Sequence, residues 1–185
     1  MPSQPHPLTP DLDTLAGLFY RSREQLGDFA EVAPDELPPN ARRLLAHNDH
    51  MTVTVEEFHR SPVNVRVLDK LVTPRHYARK ILLERQSDGL VVQFGIMRVN
   101  FDYLSPEVAR EIQSEAAPLG RILIEHNVLR RVQLFSLWRV EMGDELRRWF
   151  GAGPSTAYGR TAMIDCNEEP AVELVEIVTP LDANC

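Results

Sequence analysis

The feature that most constrains this sequence is a pair of apolar runs between His76 and Asn100, separated by Ser87-Asp88-Gly89. Both runs are rich in Ile, Leu, Val and Phe, which suit the pleated, half-buried surface of a sheet. An Asp-Gly pair between two such runs predicts a β-hairpin with a type I′ turn, because both central residues of that turn take positive φ. We therefore expect an antiparallel hairpin around which the fold is built.

Two arginines, Arg79 and Arg98, interrupt these apolar runs. An arginine is rarely buried without a partner. If Arg79 points into the fold, it either forms a structural ion pair or holds an anionic ligand. Glu176 is a candidate partner, since it shares the alternating apolar face of the last predicted strand with Leu174 and Val178. From the residues alone, the structural ion pair is favoured.

Composition limits the classes of protein to which this chain can belong. With 185 residues, 43% of them hydrophobic, it is long enough for one domain with a sizeable core. A formal net charge of -7, without a run of Lys or Arg, argues against nucleic acid as a partner. No apolar run reaches the roughly 18 residues of a membrane span, and the N-terminus lacks the features of a signal peptide. Because Cys166 and Cys185 are too few for a disulfide framework, we expect a cytoplasmic protein without a membrane partner.

Alternating and capped patterns predict the remaining elements, and short turns between strands predict antiparallel pairing. The predicted class is α+β with about six strands. Thr9-Pro10 and Ser105-Pro106 each predict a helix start, because Thr or Ser caps a helix and Pro fits its first turn. A Pro-rich arm is predicted over residues 1–10 and a connecting loop over 31–40. The predicted strands cover 63–72, the two arms of the 76–100 hairpin, 129–141, 157–166 and 171–179; the later helices cover 40–46, 52–59, 105–116, 121–126 and 143–150.

Two histidines and an aspartate lie close together at His47, Asp49 and His50. These residue types can bind a metal, but strong metal motifs have stricter spacing and a further ligand, which is lacking here. A turn between two helices, with Asp49 capping the second, is therefore favoured. We expect no metal at this position.

Four short motifs follow one another over about residues 40–180. They occupy Leu44-Leu45 with Asp49-His50-Met51-Thr52, Tyr77–Leu83, Pro118–Arg121, and Tyr158-Gly159-Arg160 with Pro170 and Glu176–Pro180. In order and spacing they resemble the leucine pair and D-x-M-T turn, the R-x-I-L-L strand, the P-L-G-R helix start and the aromatic-G-R segment and final strand of chorismate pyruvate-lyases. The match looks most like the divergent actinobacterial and archaeal branch of that superfamily.

This resemblance implies a fold and a domain organisation. The fold is a six-stranded antiparallel sheet with helices on one face and helical flaps over a buried ligand pocket. Residues 1–39 are then an N-terminal arm, helix and loop, and residues 40–180 are the chorismate lyase-like domain. A segment that includes GDELRRWFGAGPS is additional to compact family members, and is expected to reshape a flap or to form an oligomer contact.

The resemblance also implies a ligand site. Arg79 is expected to hold the carboxylate of the ligand, because a guanidinium matches carboxylate geometry. Glu176 is expected to meet the ring hydroxyl and to serve in proton transfer. The pocket is expected to be lined by Met51, by the backbone of Leu119 and Gly120 at a helix start, and by Arg160 either as a second anion contact or in a salt bridge.

The implied function is elimination of pyruvate from chorismate to give 4-hydroxybenzoate, with Arg79 and Glu176 as catalytic residues and without a cofactor. The small-molecule partners are then chorismate and hydroxybenzoate. Two alternatives remain open: a relative that acts on a different chorismate-like substrate, and a non-catalytic domain that senses a small aromatic acid, as in a family of bacterial transcription regulators. About 40 residues precede the resemblance and are not basic, which leaves no room for a DNA-binding winged helix and favours the lyase.

Overall fold

A computed structural model describes residues 9–180 of the protein. Most of the predicted Pro-rich arm, and Cys185, lie outside the described residues. Within that range the strands form one antiparallel sheet of order β1-β5-β6-β7-β4-β3-β2. The strands are β1 (Gly27–Val32), β2 (Val63–Val72), β3 (His76–Arg85), β4 (Val91–Asn100), β5 (Arg130–Met142), β6 (Thr156–Cys166) and β7 (Glu169–Val178). The antiparallel α+β class is confirmed.

The described chain also has six α-helices, none of which is long and apolar enough to cross a membrane. The first begins after Asp11, whose carboxylate accepts the Thr14 N–H at 2.7 Å, so the predicted cap at Thr9 is wrong by two residues. The predicted cap at Ser105 is confirmed, because its hydroxyl accepts the Val108 N–H. The helices are α1 (Leu12–Ala16), α2 (Pro39–Leu45), α3 (Met51–His59), α4 (Pro106–Ser114), α5 (Leu119–Glu125) and α6 (Asp144–Phe150).

The hairpin between His76 and Asn100 is formed by β3 and β4, but its turn is not type I′. Only Gly89 takes a positive φ, of 73°, whereas a type I′ turn requires two such residues. The Arg85 N–H donates to the Leu90 carbonyl at 2.9 Å and closes a four-residue loop. The hairpin is therefore confirmed, and the type I′ prediction is wrong because the left-handed position falls on the glycine alone.

The sheet has seven strands rather than the predicted six. The additional strand, β1, pairs with β5 through Gly27↔Met142 to Val32↔Leu137 and lies at an edge of the sheet. Its sequence, GDFAEV, contains little apolar alternation, and only Gly27 in it is buried. Since backbone pairing with β5 supplies the ordering, the hydrophobic pattern does not reveal this strand.

A β-bulge divides the long strand β5. Uninterrupted alternation predicts that Val132, Ser136 and Val140 share one face. The register with β6 shifts between Leu134 and Ser136, so one extra residue enters β5 at this point. As a result Val132 joins the cluster that contains Leu174, whereas Val140 packs on the opposite face of the sheet. The prediction of one shared face is therefore wrong.

Helices lie on both faces of the sheet, not on one as the resemblance implies. The helices α2 to α5 cover the face that carries Leu174 and Val178 of β7, which we call the cavity face. The helices α1 and α6 pack on the second face with Val175 and Ile177. The helix of the additional segment thus packs on the face opposite the cavity face, where Leu146 is fully buried.

The α6 contact generates a stability prediction. We expect Leu146→Ala to lower the free energy of unfolding by about 2–4 kcal/mol in urea denaturation, because it leaves a void in the cluster on the second face. The control is Leu90→Ala, since Leu90 is 56% exposed beside the hairpin loop and its replacement should change stability by less than about 0.5 kcal/mol. Equal effects of the two variants would show that α6 does not anchor the second face.

Candidate functional site

The cavity face encloses a cavity of about 50 Å³ between the sheet and the helices α3 and α5. Apolar side chains from the strands and helices supply most of its wall, among them Ile81, Leu83 and Met97. The structure brings together around this cavity all of the site residues predicted from the sequence, which are Met51, Arg79, Leu119, Gly120, Arg160 and Glu176. Their roles toward a ligand stay predictions.

Arg79 projects from β3 into this cavity and is only 1% exposed. One of its terminal nitrogens, Nη2, donates a long hydrogen bond of 3.4 Å to the Ala117 carbonyl. Its Nε and Nη1 atoms are buried and have no hydrogen-bond partner among the described residues. Burial lowers the pKa of Arg79, and the nearby Tyr77 and Glu115 oppose that effect only in part. Arg79 is thus a buried cation with two unused donors.

Glu115 does not neutralise Arg79, because it is already bonded elsewhere. Its Oε1 atom accepts a bond of 2.6 Å from Lys70 Nζ and a bond of 2.9 Å from the Tyr77 hydroxyl. These bonds lower the pKa of Glu115, with the Lys70 contact as the largest cause. The Glu115 carboxylate therefore bonds to Lys70 of β2 and Tyr77 of β3 and not to Arg79.

Glu176 pairs with Arg160 and not with Arg79. Arg160 Nε donates to Glu176 Oε2 at 2.7 Å, and the two residues are 1% and 7% exposed. They are neighbours across β6 and β7, whereas Arg79 lies two strands away from Glu176. The structural ion pair suggested by the sequence thus exists, but with a different arginine, and Arg79 is left without a carboxylate.

The remaining nitrogens of Arg160 bind the turn before α3. Its Nη1 atom donates to the His47 carbonyl at 3.0 Å, and its Nη2 atom donates to the Asp49 carbonyl at 3.3 Å. Since all three nitrogens have protein acceptors, the salt-bridge role is the one the geometry favours for Arg160. A direct contact between Arg160 and a ligand stays a prediction.

The histidines of this turn make hydrogen bonds to neighbouring protein groups. His47 Nε2 bonds to the Leu44 carbonyl at 2.6 Å, and His50 Nε2 accepts from Arg130 Nε at 2.7 Å. Burial lowers the pKa of both histidines, and an adjacent arginine adds to this, so both are neutral near pH 7. No cluster of three potential metal ligands occurs within residues 9–180. The N-cap of α3 is His50, so the predicted capping role of Asp49 is wrong.

The helices α3 and α5 cover the cavity and are packed closely on each other. A Cβ placed on Gly120 would lie 3.0 Å from Thr52 Oγ1 and 3.4 Å from His50 Nδ1, so the two helices approach closely at this glycine. Arg121 of the P-L-G-R motif forms an ion pair with Glu56 of α3. These contacts hold the N-terminal ends of α3 and α5 together over the cavity.

Among the polar residues of the site that sequence reasoning missed is Gln93 of β4. It is 3% exposed, lines the cavity, and its Oε1 atom is buried without a hydrogen-bond partner. The available signal was a glutamine inside the apolar run LVVQFGI, at a position where a hydrophobic residue is typical. Two residues later, Gly95 lines the same cavity, and a Cβ there would approach the Ile81 side chain to 3.4 Å.

No protein-family model and no curated protein matches this chain. Among solved structures, PhnF from Mycobacterium smegmatis superposes with a TM-score of 0.53 at 10% identity over 71% of this chain, which spans 64% of that chain. A GntR-family transcriptional regulator from Bacillus cereus superposes with a TM-score of 0.43 at 9% identity, over 64% of this chain and 92% of that chain. The C-terminal domain of the histidine utilization repressor from Pseudomonas syringae pv. tomato superposes with a TM-score of 0.40 at 10% identity, over 65% of this chain and 96% of that chain.

These comparisons establish the fold and correct the predicted activity. The fold is chorismate lyase-like, as in the C-terminal domains of GntR-family regulators. Several of the structures compared are named as transcriptional regulators or as a repressor, and the predicted carbon–oxygen lyase activity on chorismate is corrected accordingly. At 10% identity the likeness shows the fold alone, and the ligand must be inferred from the cavity.

The two buried arginines should respond in opposite ways to the same substitution. We expect Arg160→Met to lower the free energy of unfolding by about 3–5 kcal/mol, because it leaves Glu176 as an unpaired buried charge. We expect Arg79→Met to raise it by about 1 kcal/mol, because it removes two buried donors that have no acceptor. Urea denaturation of both variants tests this contrast. A comparable loss of stability in Arg79→Met would mean that Arg79 is a structural residue.

Proposed function

We propose that this protein is a non-catalytic ligand-binding domain that senses a small organic acid with an apolar body. The observation that carries the proposal is the pair of unused donors, Nε and Nη1, on Arg79 in the cavity. A buried donor without an acceptor destabilises a fold by about 1–3 kcal/mol. Function is the usual reason for keeping such a group, and a bound carboxylate would accept from one of these donors together with the adjacent Nη2.

The chemistry of Arg79 favours a carboxylate over a neutral ligand. A guanidinium presents parallel N–H donors that match the two oxygens of a carboxylate. Because Arg79 is desolvated and has no bonded carboxylate among the described residues, an anion gains a charge-assisted bond and also offsets the burial of the cation. The net charge of -7 means that this attraction is local and works against the field of the whole protein.

The environment of Glu176 supports binding rather than proton transfer. Its charge is balanced by Arg160 through a bond of 2.7 Å, so it is not an isolated carboxylate in an apolar pocket. A carboxylate held in this way can accept a hydrogen bond from a ligand hydroxyl without taking up its proton. A ring hydroxyl on an aromatic acid is a suitable partner for Glu176, which lines the cavity beside Ile164 and Leu174.

The fold likeness to GntR-family regulators agrees with a sensing role, at the level of architecture alone. The histidine utilization repressor of Pseudomonas syringae pv. tomato is named as a repressor, and its C-terminal domain shares this architecture. We propose that the sheet and the helices α3 and α5 of this chain bind the ligand, and that movement of these helices reports the binding. The N-terminal residues of α3 and α5 line the cavity, so we propose that these helices separate during binding.

The carboxylate contact can be tested with a single-ring acid. We expect 4-hydroxybenzoate and benzoate to bind the wild-type protein, and Arg79→Met to weaken both by at least about 30-fold in isothermal titration calorimetry. The matched control is Arg98→Met, in the same hairpin, where the arginine pairs with Glu173 at 2.5 Å and does not line the cavity. Unchanged affinity in Arg79→Met, or an equal loss in Arg98→Met, would contradict the proposal.

The separation of α3 from α5 can be tested by joining them. A Cβ on Gly120 would lie 3.4 Å from Thr52 Cβ, close to the roughly 3.5–4.5 Å of a disulfide. We expect oxidised Thr52→Cys/Gly120→Cys, in a Cys185→Ser background, to slow association of 4-hydroxybenzoate at least about tenfold. Reduction of the same protein should restore the rate in stopped-flow measurements. Equal association rates in the two redox states would show that the ligand enters by another route.

A further inference from the structure

We infer that Gln93 is a second recognition group, so that the ligand carries an uncharged hydrogen-bond donor at the end opposite its carboxylate. This inference rests on the proposed function and narrows the class of acid that the cavity takes. Its basis is the second unsatisfied polar group of the cavity, the buried Oε1 atom of Gln93, in a side chain that is 3% exposed.

Strand register places Arg79 and Gln93 at opposite ends of the same face. Arg79 is opposite Met97 on β4, and Gln93 is opposite Leu83 on β3, four residues further along the hairpin. At about 3.3 Å per residue, the two positions are about 13 Å apart along the strands. Both side chains line the one cavity, so a ligand of sufficient length can contact both.

The Arg79 end and the Gln93 end of the cavity are together complementary to an acid that carries a hydrogen-bond donor at its far end. Arg79 offers donors without acceptors, and Gln93 offers an acceptor without a donor. A carboxylate satisfies the first end, and a hydroxyl or amide N–H satisfies the second. An ammonium group fits poorly at Gln93, because Glu176 is already neutralised by Arg160 and the cation would have no counter-charge.

The positions between the two ends determine the length of the ligand. Glu176 pairs with Gly95, which lies midway between the levels of Arg79 and Gln93. A hydroxyl directly across one benzene ring from the carboxylate therefore extends only to the level of Glu176. A donor that contacts Gln93 requires a longer acid, which would pass Gly95 in the wall of the cavity.

The probes are 3-(4-hydroxyphenyl)propanoate and 3-phenylpropanoate, which differ only in the terminal hydroxyl. We expect the hydroxylated acid to bind the wild-type protein about tenfold more tightly in calorimetry, as is typical of one buried hydrogen bond. Gln93→Met keeps the length of the side chain and removes the acceptor, so it should abolish this tenfold preference while 3-phenylpropanoate keeps its affinity. The control Gln113→Met, on the exposed surface of α4, should leave the preference unchanged.

A second readout separates recognition from a structural role. Since the Gln93 acceptor is unsatisfied in the free protein, Gln93→Met should raise the melting temperature measured without ligand, whereas a structural glutamine would lower it on removal. Gln93→Leu provides a second variant for the binding comparison if the methionine variant does not fold.

The failures of the two proposals are distinguishable. If Gln93→Met retains the preference for the hydroxyl while Arg79→Met weakens both acids, the role of Gln93 is overturned and the proposed acid-binding function stands. The role of Gln93 is also overturned if Gln93→Met lowers the melting temperature and reduces the affinity for both acids equally. If neither acid binds the wild-type protein, or Arg79→Met binds both with wild-type affinity, the proposed function fails and the inference fails with it.

Discussion

The buried ion pair between Arg160 and Glu176 organises the rest of this structure. It joins β6 to β7 in the middle of the sheet, and through the other nitrogens of Arg160 it fixes the turn at His47 and Asp49 from which α3 begins. A buried ion pair of this kind contributes specificity of arrangement more than net stability. Its main consequence here is that Glu176 is not available to Arg79.

The cavity therefore contains a surplus of unsatisfied polar groups in otherwise apolar surroundings. Buried side-chain polar atoms are nearly always bonded in folded proteins, yet Arg79 and Gln93 account for all the unbonded ones within residues 9–180, and both line this cavity. Hydrophobic packing would be improved by apolar residues at both positions. Binding of a complementary ligand is the physical explanation that covers both groups at once, and it requires no catalytic step.

Local patterns in the sequence predicted much of this arrangement. The apolar runs around Asp88-Gly89 predicted the hairpin, and the alternation near Glu176 predicted its inward orientation. The strand β1 was not predicted, because backbone pairing rather than an apolar face orders it, and the bulge in β5 was not predicted because one extra residue leaves no compositional trace. The choice of Arg160 as the partner of Glu176 depends on strand order, which joins β6 to β7, and strand order is not encoded in local periodicity.

The resemblance of motifs was informative about architecture and misleading about chemistry, because a fold can keep a binding cavity while its activity differs. The central claim is that Arg79 holds the carboxylate of the ligand while Arg160 keeps its bond to Glu176. It is tested most directly by the ¹H–¹⁵N resonances of the two arginine Nε–H groups during titration with 4-hydroxybenzoate. We predict a downfield shift of the Arg79 Nε–H proton with an unchanged Arg160 resonance. A shift confined to Arg160, or saturation of binding without a change at Arg79, would contradict it.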